Sequence, residues 1–229
     1  MTRCAPERLT ITIDAGHSVS GLLLRPNNAH ACFLFAHGAG AGMTHPFMEA
    51  FAAELAAERI ASLRYQFPYM ERGSRRPDPS QLAQATVRAA AAEAARRAGP
   101  VPVVAGGKSF GGRMTSQAHA ASPLPGVRGL IFLGFPLHPP KRPSDQRAAH
   151  LFDVQVPMLF LQGTRDELAD VELIERTIKR LGDRASLHLL HDADHSFRVP
   201  ARSGRTHDEV RREMRNVLVS WTSSVIARP

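Results

Sequence analysis

Gly106-Gly107-Lys108-Ser109-Phe110-Gly111-Gly112 is the stretch on which the reading of this chain turns. An apolar run, Val101-Pro102-Val103-Val104-Ala105, precedes it, and helix-compatible sequence from Arg113 to Ala121 follows. A buried strand that turns directly into a helix through Gly-x-Ser-x-Gly is a nucleophile elbow. Such a turn holds the serine backbone in strain, so that the hydroxyl projects beyond the strand end. Gly107 and Gly111 lack Cβ atoms and let strand and helix approach each other closely.

Two other motifs overlap this region and fail on spacing. Gly107-Lys108-Ser109 imitates the end of a phosphate-binding loop, but that loop needs a glycine where Pro102 stands. Gly38-x-Gly40-x-Gly42 imitates a dinucleotide fingerprint, but its third glycine comes one residue early, and the next strand carries Arg64 in place of an acid. No cofactor is expected.

Around the elbow the chain alternates strands and helices. Leu9 to Ile13 and Val19 to Leu24 read as an antiparallel hairpin. Cys32 to Ala36 is continuously apolar, as in a strand buried on both faces. Pro46 to Ile60 has helical spacing, Ala61 to Phe67 is the next strand, and Ser80 caps an alanine-rich helix that ends at Gly99-Pro100. After the elbow come strands at 130–133, 158–161 and 186–190, with helices near 171–181 and 210–225. This order predicts one α/β domain over residues 1–229, with a mostly parallel sheet and helices on both faces. At 229 residues, one core of this kind is what the length allows.

Composition narrows the class. No apolar run reaches membrane-spanning length, and the first residues lack the apolar centre of a secretory signal. Cys4 and Cys32 provide no disulfide framework, which fits a reducing cytoplasm. The net charge of +8 comes from scattered arginines with acids nearby, and the only lysines are Lys108, Lys141 and Lys179. No nucleic-acid module accompanies that charge, so no specific nucleic-acid partner is expected.

In parallel sheets, chemistry gathers beyond the carboxyl ends of the strands. Four such loops carry polar features: His37-Gly38-Ala39-Gly40-Ala41-Gly42, Ser109, Gln162-Gly163-Thr164-Arg165-Asp166, and His191-Asp192-Ala193-Asp194-His195. The order serine, acid, histidine is the α/β-hydrolase order. Over nearly its whole length the chain resembles the α/β-hydrolase superfamily, and within it the small cap-less hydrolases related to dienelactone hydrolase. Arg64 to Glu71, Gly134 to Pro140 and Gln162 to Asp166 add to the likeness. The resemblance implies Ser109 as nucleophile, Asp166 as acid and His195 as base. Dienelactone hydrolase itself uses cysteine as its nucleophile, so its substrate is not carried over.

The implied reaction needs an imidazole to take the serine proton, a carboxylate to orient the imidazole, and two backbone N–H donors for the oxyanion. Ala39 and Phe110 are the expected donors, and Gly40, Tyr69, Lys108 and His138 are candidates to line the pocket. Glu167, Asp170, Asp192 and Asp194 compete with Asp166 for the acid's role. His37 is expected to hold its loop by hydrogen bonds, and Lys108 to point aside from the chemistry. Positions 188 and 191 face opposite sides of a strand, so no metal site is expected there. Only about 20 residues join Phe135 to Val156, too few for a lid, so loops 67–79 and 135–150 are expected to read the substrate. The expected activity is hydrolysis of small esters or thioesters. A binding or scaffold protein that keeps the fold without the reaction is the alternative. Oligomeric state is left open.

Overall fold

The continuous apolar runs become the inner strands of one sheet. The computed structural model describes residues 5–227, so Cys4 lies outside the described residues. Its strands are β1 (Glu7–Asp14), β2 (His17–Leu24), β3 (Ala31–Ala36), β4 (Ile60–Tyr65), β5 (Val103–Lys108), β6 (Val127–Leu133), β7 (Met158–Gly163) and β8 (Ala185–Leu190). The helices are α1 (Pro46–Ala57), α2 (Pro68–Glu71), α3 (Ser80–Ala98), α4 (Phe110–Ala121), α5 (Val171–Leu181) and α6 (His207–Ile226). Spatial order is β1-β2-β4-β3-β5-β6-β7-β8. β1 and β2 form the expected hairpin, β2 also runs antiparallel to β4, and every later pair is parallel.

Alternation along the buried strands divides the core into two layers. In β3, Phe33 and Phe35 face Met48, Phe51 and Leu55 of α1 and Val210, Met214 and Leu218 of α6. Cys32, Leu34 and Ala36 face the opposite side, which α3, α4 and α5 cover through residues such as Val87, Met114 and Ile174. Each fully buried Leu or Phe side chain contributes about 1.5–3 kcal/mol. α3 approaches closely because its buried stripe is mainly alanine: Ala83, Ala90, Ala91 and Ala94.

Several boundaries differ from the sequence reading. Ile60 starts β4 and does not end α1, because Arg59 takes a left-handed conformation (φ 60°) that breaks the helix. β4 stops at Tyr65, and Pro68 opens the short helix α2 within the segment expected to be a loop. Ser80 is the first helical residue, not the cap: Pro79 occupies the cap position, and the Ser80 hydroxyl donates to Gln117 Oε1 of α4 at 3.1 Å. α6 begins at His207, earlier than expected, because Thr206 and Glu209 form a reciprocal capping box. Between β6 and β7 there is a 3₁₀ segment, Gln146–Asp153, and no lid.

Topology fixes where a site can form. From β3 the chain moves outward to β4, then returns to place β5 on the other side of β3. That reversal opens a crevice at the carboxyl ends of β3 and β5. The strand ends there are level, with Ala36 opposite Gly107, Lys108 opposite Leu133, and Leu133 opposite Leu161.

Candidate active site

At the end of β5 the chain reverses into α4 through Ser109, whose φ of 49° and ψ of −115° lie outside the regions that L residues prefer. Neighbouring contacts hold it there. The Ser109 N–H donates to the Leu133 carbonyl at 3.1 Å, and its own carbonyl accepts from Arg113 N–H at 3.1 Å. A Cβ on Gly107 would stand 2.2 Å from the Ala36 oxygen, and one on Gly111 would stand 2.5 Å from the His37 oxygen. The close approach that these two glycines permit is therefore to β3 and its following loop, more than between β5 and its own helix.

Ser109 Oγ lies 2.8 Å from His195 Nε2, and His195 Nδ1 lies 2.7 Å from Asp166 Oδ2. The Asp166 side chain is fully buried, and Oδ2 also accepts from Gln162 Nε2 at 2.6 Å while Oδ1 accepts from Leu168 N–H at 2.8 Å. With a carboxylate on one side, the imidazole carries its proton on Nδ1. Nε2 then accepts from the serine hydroxyl. None of the competing acids bonds the His195 ring, whose Nδ1 is taken by Asp166. Asp170 caps α5 by accepting from Leu173 N–H, Asp194 accepts from Ser196 and Arg198 N–H groups, and Glu167 and Asp192 are exposed.

The loop after β3 borders the same crevice. His37 is buried, donates from Nδ1 to the Gly38 carbonyl at 2.8 Å, and accepts from Phe67 N–H on Nε2 at 3.1 Å. Burial pulls its pKa down to about 4, so it is a neutral strut between the loop and the end of β4, in keeping with its expected holding role. Tyr69 is fully buried against His37, Phe67 and Phe110, and its hydroxyl accepts from Gly40 N–H at 3.1 Å. It braces the loop from behind and offers its hydroxyl to Gly40. None of the described hydrogen bonds uses the N–H of Ala39 or of Phe110.

His138 is likewise committed internally. It donates from Nδ1 to the Pro139 carbonyl and accepts from Asp170 N–H on Nε2, both at 2.8 Å, bracing the turn that holds Asp166. Both ring nitrogens are used, so it presents no polar group to a ligand. Lys108 turns toward the segment that carries His195. Its ammonium donates to the His195 carbonyl and lies 4.8 Å from the Phe197 ring centre. Gln162, which the sequence reading left without a role, supports Asp166 from β7. His188 bonds Glu213 at 2.7 Å, away from Asp192 and Asp194, and no cluster of three metal-ligating side chains occurs among the described residues. Nor is any helix among them long and apolar enough to cross a membrane. Cys32, on β3, is a buried free thiol.

A family model described as an alpha/beta hydrolase domain matches residues 29–223. The chain belongs to the alpha/beta hydrolases. Three solved structures share this hydrolase's fold. A dienelactone hydrolase from Anabaena variabilis is 20% identical, with a TM-score of 0.74 over 97% of this chain and 99% of that one. A serine hydrolase without a lid from Xanthomonas campestris is also 20% identical, with a TM-score of 0.74 over 98% and 97%. A cold-adapted esterase from an Arctic intertidal metagenomic library is 18% identical, with a TM-score of 0.65 over 94% and 92%. At these identities the likeness is one of fold.

Proposed function

We propose that this hydrolase cleaves carboxylic esters or thioesters of small substrates through an acyl-enzyme, without a cofactor. The continuous hydrogen-bonded line from Ser109 through His195 to Asp166, at 2.8 and 2.7 Å, carries this reading. Ser109 Oγ attacks the substrate carbonyl carbon as its proton passes to His195 Nε2. The resulting imidazolium, held by Asp166, returns that proton to the departing alcohol or thiol. Water then repeats the sequence on the acyl-enzyme and releases the acid. The N–H groups of Ala39 and Phe110 receive the charge on the tetrahedral oxygen. Ser109 stands at the cap of α4, where the positive end of the helix also favours a developing anion.

The test is hydrolysis of p-nitrophenyl esters and acyl thioesters of graded chain length by wild type and Ser109→Ala. Turnover by wild type that the variant loses, with an unchanged fold, supports the proposal. No turnover of any member by folded wild type overturns it in favour of a scaffold protein.

A further inference from the structure

Lys108 is an unusual residue to find beside a serine–histidine pair, and the reaction proposed above assigns it no step. It is the last residue of β5, immediately before Ser109, and is half-buried. Its stem lies against Gly38, where a Cβ would meet the Lys108 Cγ at 3.5 Å. Its ammonium reaches across the crevice to the backbone carbonyl of His195 and rests on the Phe197 ring. Gly134, at the end of β6, makes room for this arrangement. A Cβ there would stand 3.1 Å from Lys108 Nζ and 3.5 Å from both Asp166 Oδ2 and His195 Cε1. The charged and titratable groups facing the ammonium are thus Asp166 from the turn after β7, and Asp194 and His195 from the turn after β8.

The His195 turn needs an anchor of this kind. It follows β8, the edge strand, and passes through left-handed conformations at Asp192 (φ 59°) and Phe197 (φ 62°). Its internal bonds, from Asp194 N–H to the Arg198 carbonyl and from Phe197 N–H to the Asp194 carbonyl, shape the turn without fixing it to the strands that carry Ser109. The turn is joined to the β7 side by Arg165 N–H donating to the Ala193 carbonyl and by Asp192 N–H donating to Thr164 Oγ1, and to Asp166 by the imidazole itself. Lys108 supplies the direct backbone link from the elbow side. Charge-assisted hydrogen bonds of this type are roughly twice as strong as neutral ones.

We infer that Lys108 is a positioning residue: its ammonium ties the His195 turn to the nucleophile strand and keeps the imidazole aligned between Ser109 and Asp166. The inference rests on the serine-hydrolase reading and extends it to a residue that touches no reacting atom. It also implies an alkaline limit on turnover. Burial lowers the amine's pKa from 10.5 to about 8, while the Asp166 and Asp194 carboxylates oppose the shift. The ammonium is therefore intact below about pH 8 and loses its charge as the pH rises through that value. Above it, a neutral amine holds the turn more weakly.

The experiment compares wild type, Lys108→Met and Lys108→Arg by kcat, KM, thermal melting and the pH profile of kcat/KM on p-nitrophenyl acetate. Misalignment on the ångström scale costs about 10- to 100-fold in rate. That loss is expected in kcat for Lys108→Met, with little change in KM. Its melting temperature is expected to change little, since the lost bond to the His195 carbonyl is offset by removal of a partly buried charge. Lys108→Arg is expected to recover part of kcat and to move the alkaline limb to higher pH, because a guanidinium stays charged. The Arg variant also keeps the test open if Lys108→Met fails to fold. Unchanged kcat and an unchanged alkaline limb in the folded variants overturn the inference while leaving the hydrolase reading intact. An activity loss matched by a melting loss in both variants makes Lys108 a purely structural residue and overturns it equally. Absence of turnover by folded wild type of this ester and of every other member of the graded series overturns both.

Discussion

Replacing Asp166 by asparagine changes one atom and leaves the shape of the site almost untouched. Asp166 accepts three hydrogen bonds, from Gln162 Nε2 at 2.6 Å, Leu168 N–H at 2.8 Å and His195 Nδ1 at 2.7 Å. An amide oxygen can keep the bond from Leu168, but the amide nitrogen then occupies the Oδ2 position, facing two donors. Gln162 is able to adapt, because its buried Oε1 has no partner and a flip of its amide presents that oxygen to the new NH2. His195 adapts only by moving its proton from Nδ1 to Nε2. Nε2–H then points at the serine hydroxyl and cannot take its proton. A serine–histidine pair locked in the wrong tautomer loses about ten-thousandfold in kcat, about 5 kcal/mol of barrier. Stability should change little, by about 1–2 kcal/mol, since most of the hydrogen bonding is rebuilt. The assay is kcat/KM on p-nitrophenyl acetate at neutral pH, beside a thermal melt. A loss below tenfold refutes this reasoning. So does a larger loss from Asp192→Asn or Asp194→Asn than from Asp166→Asn.

Three further outcomes follow from the same contacts. Gly111→Ala puts a methyl group 2.5 Å from the His37 carbonyl, a backbone atom that cannot swing away, and is expected to destabilise the fold by about 1–3 kcal/mol in urea titration while lowering turnover. His37 is neutral when folded, with a pKa near 4 against 6.5 for a free imidazole, so the unfolded chain binds the extra proton. Its contribution should lower stability by about 1.4 kcal/mol per pH unit as pH falls from 6.5 toward 4, with no effect above that window, as read from denaturant midpoints in wild type and His37→Gln. Tyr69→Phe removes the acceptor for Gly40 N–H, a group that water can still reach; melting should shift by no more than about 1 kcal/mol equivalent, while kcat falls as the Gly38–Gly42 loop loosens.

What was legible in the chain was whatever its backbone pattern dictates. Inner strands buried on both faces read as unbroken apolar runs, so Cys32 to Ala36 and Val101 to Ala105 marked the sheet, and the loops after them marked the rim that carries the candidate site. That rule put Ser109, Asp166 and His195 among the candidates in separate loops at one edge, and the resemblance assigned their roles. Boundaries at Ile60 and Ser80 were hidden because apolar spacing is the same for the last turn of a helix and the first residue of a strand. A serine before a helix reads as a cap until Pro79 is seen in that position. The directions of Lys108, Tyr69 and His138 were hidden for a different reason. Long or ring-shaped polar side chains at strand ends find their partners in remote segments: His195 for Lys108, Gly40 for Tyr69, Asp170 for His138. Gln162 was hidden in the same way, since a glutamine in an apolar strand announces a buried polar partner without naming it.

The central claim is that the strained Ser109, bonded to His195 and through it to Asp166, is an activated nucleophile. Reaction of wild type and Ser109→Ala with an alkyl fluorophosphonate, read by intact mass and by peptide mapping, tests it most directly. The expected result is one adduct per chain on the peptide containing Ser109 and none on the variant. An adduct on another residue, or an unmodified wild type after prolonged exposure to excess reagent, contradicts the account.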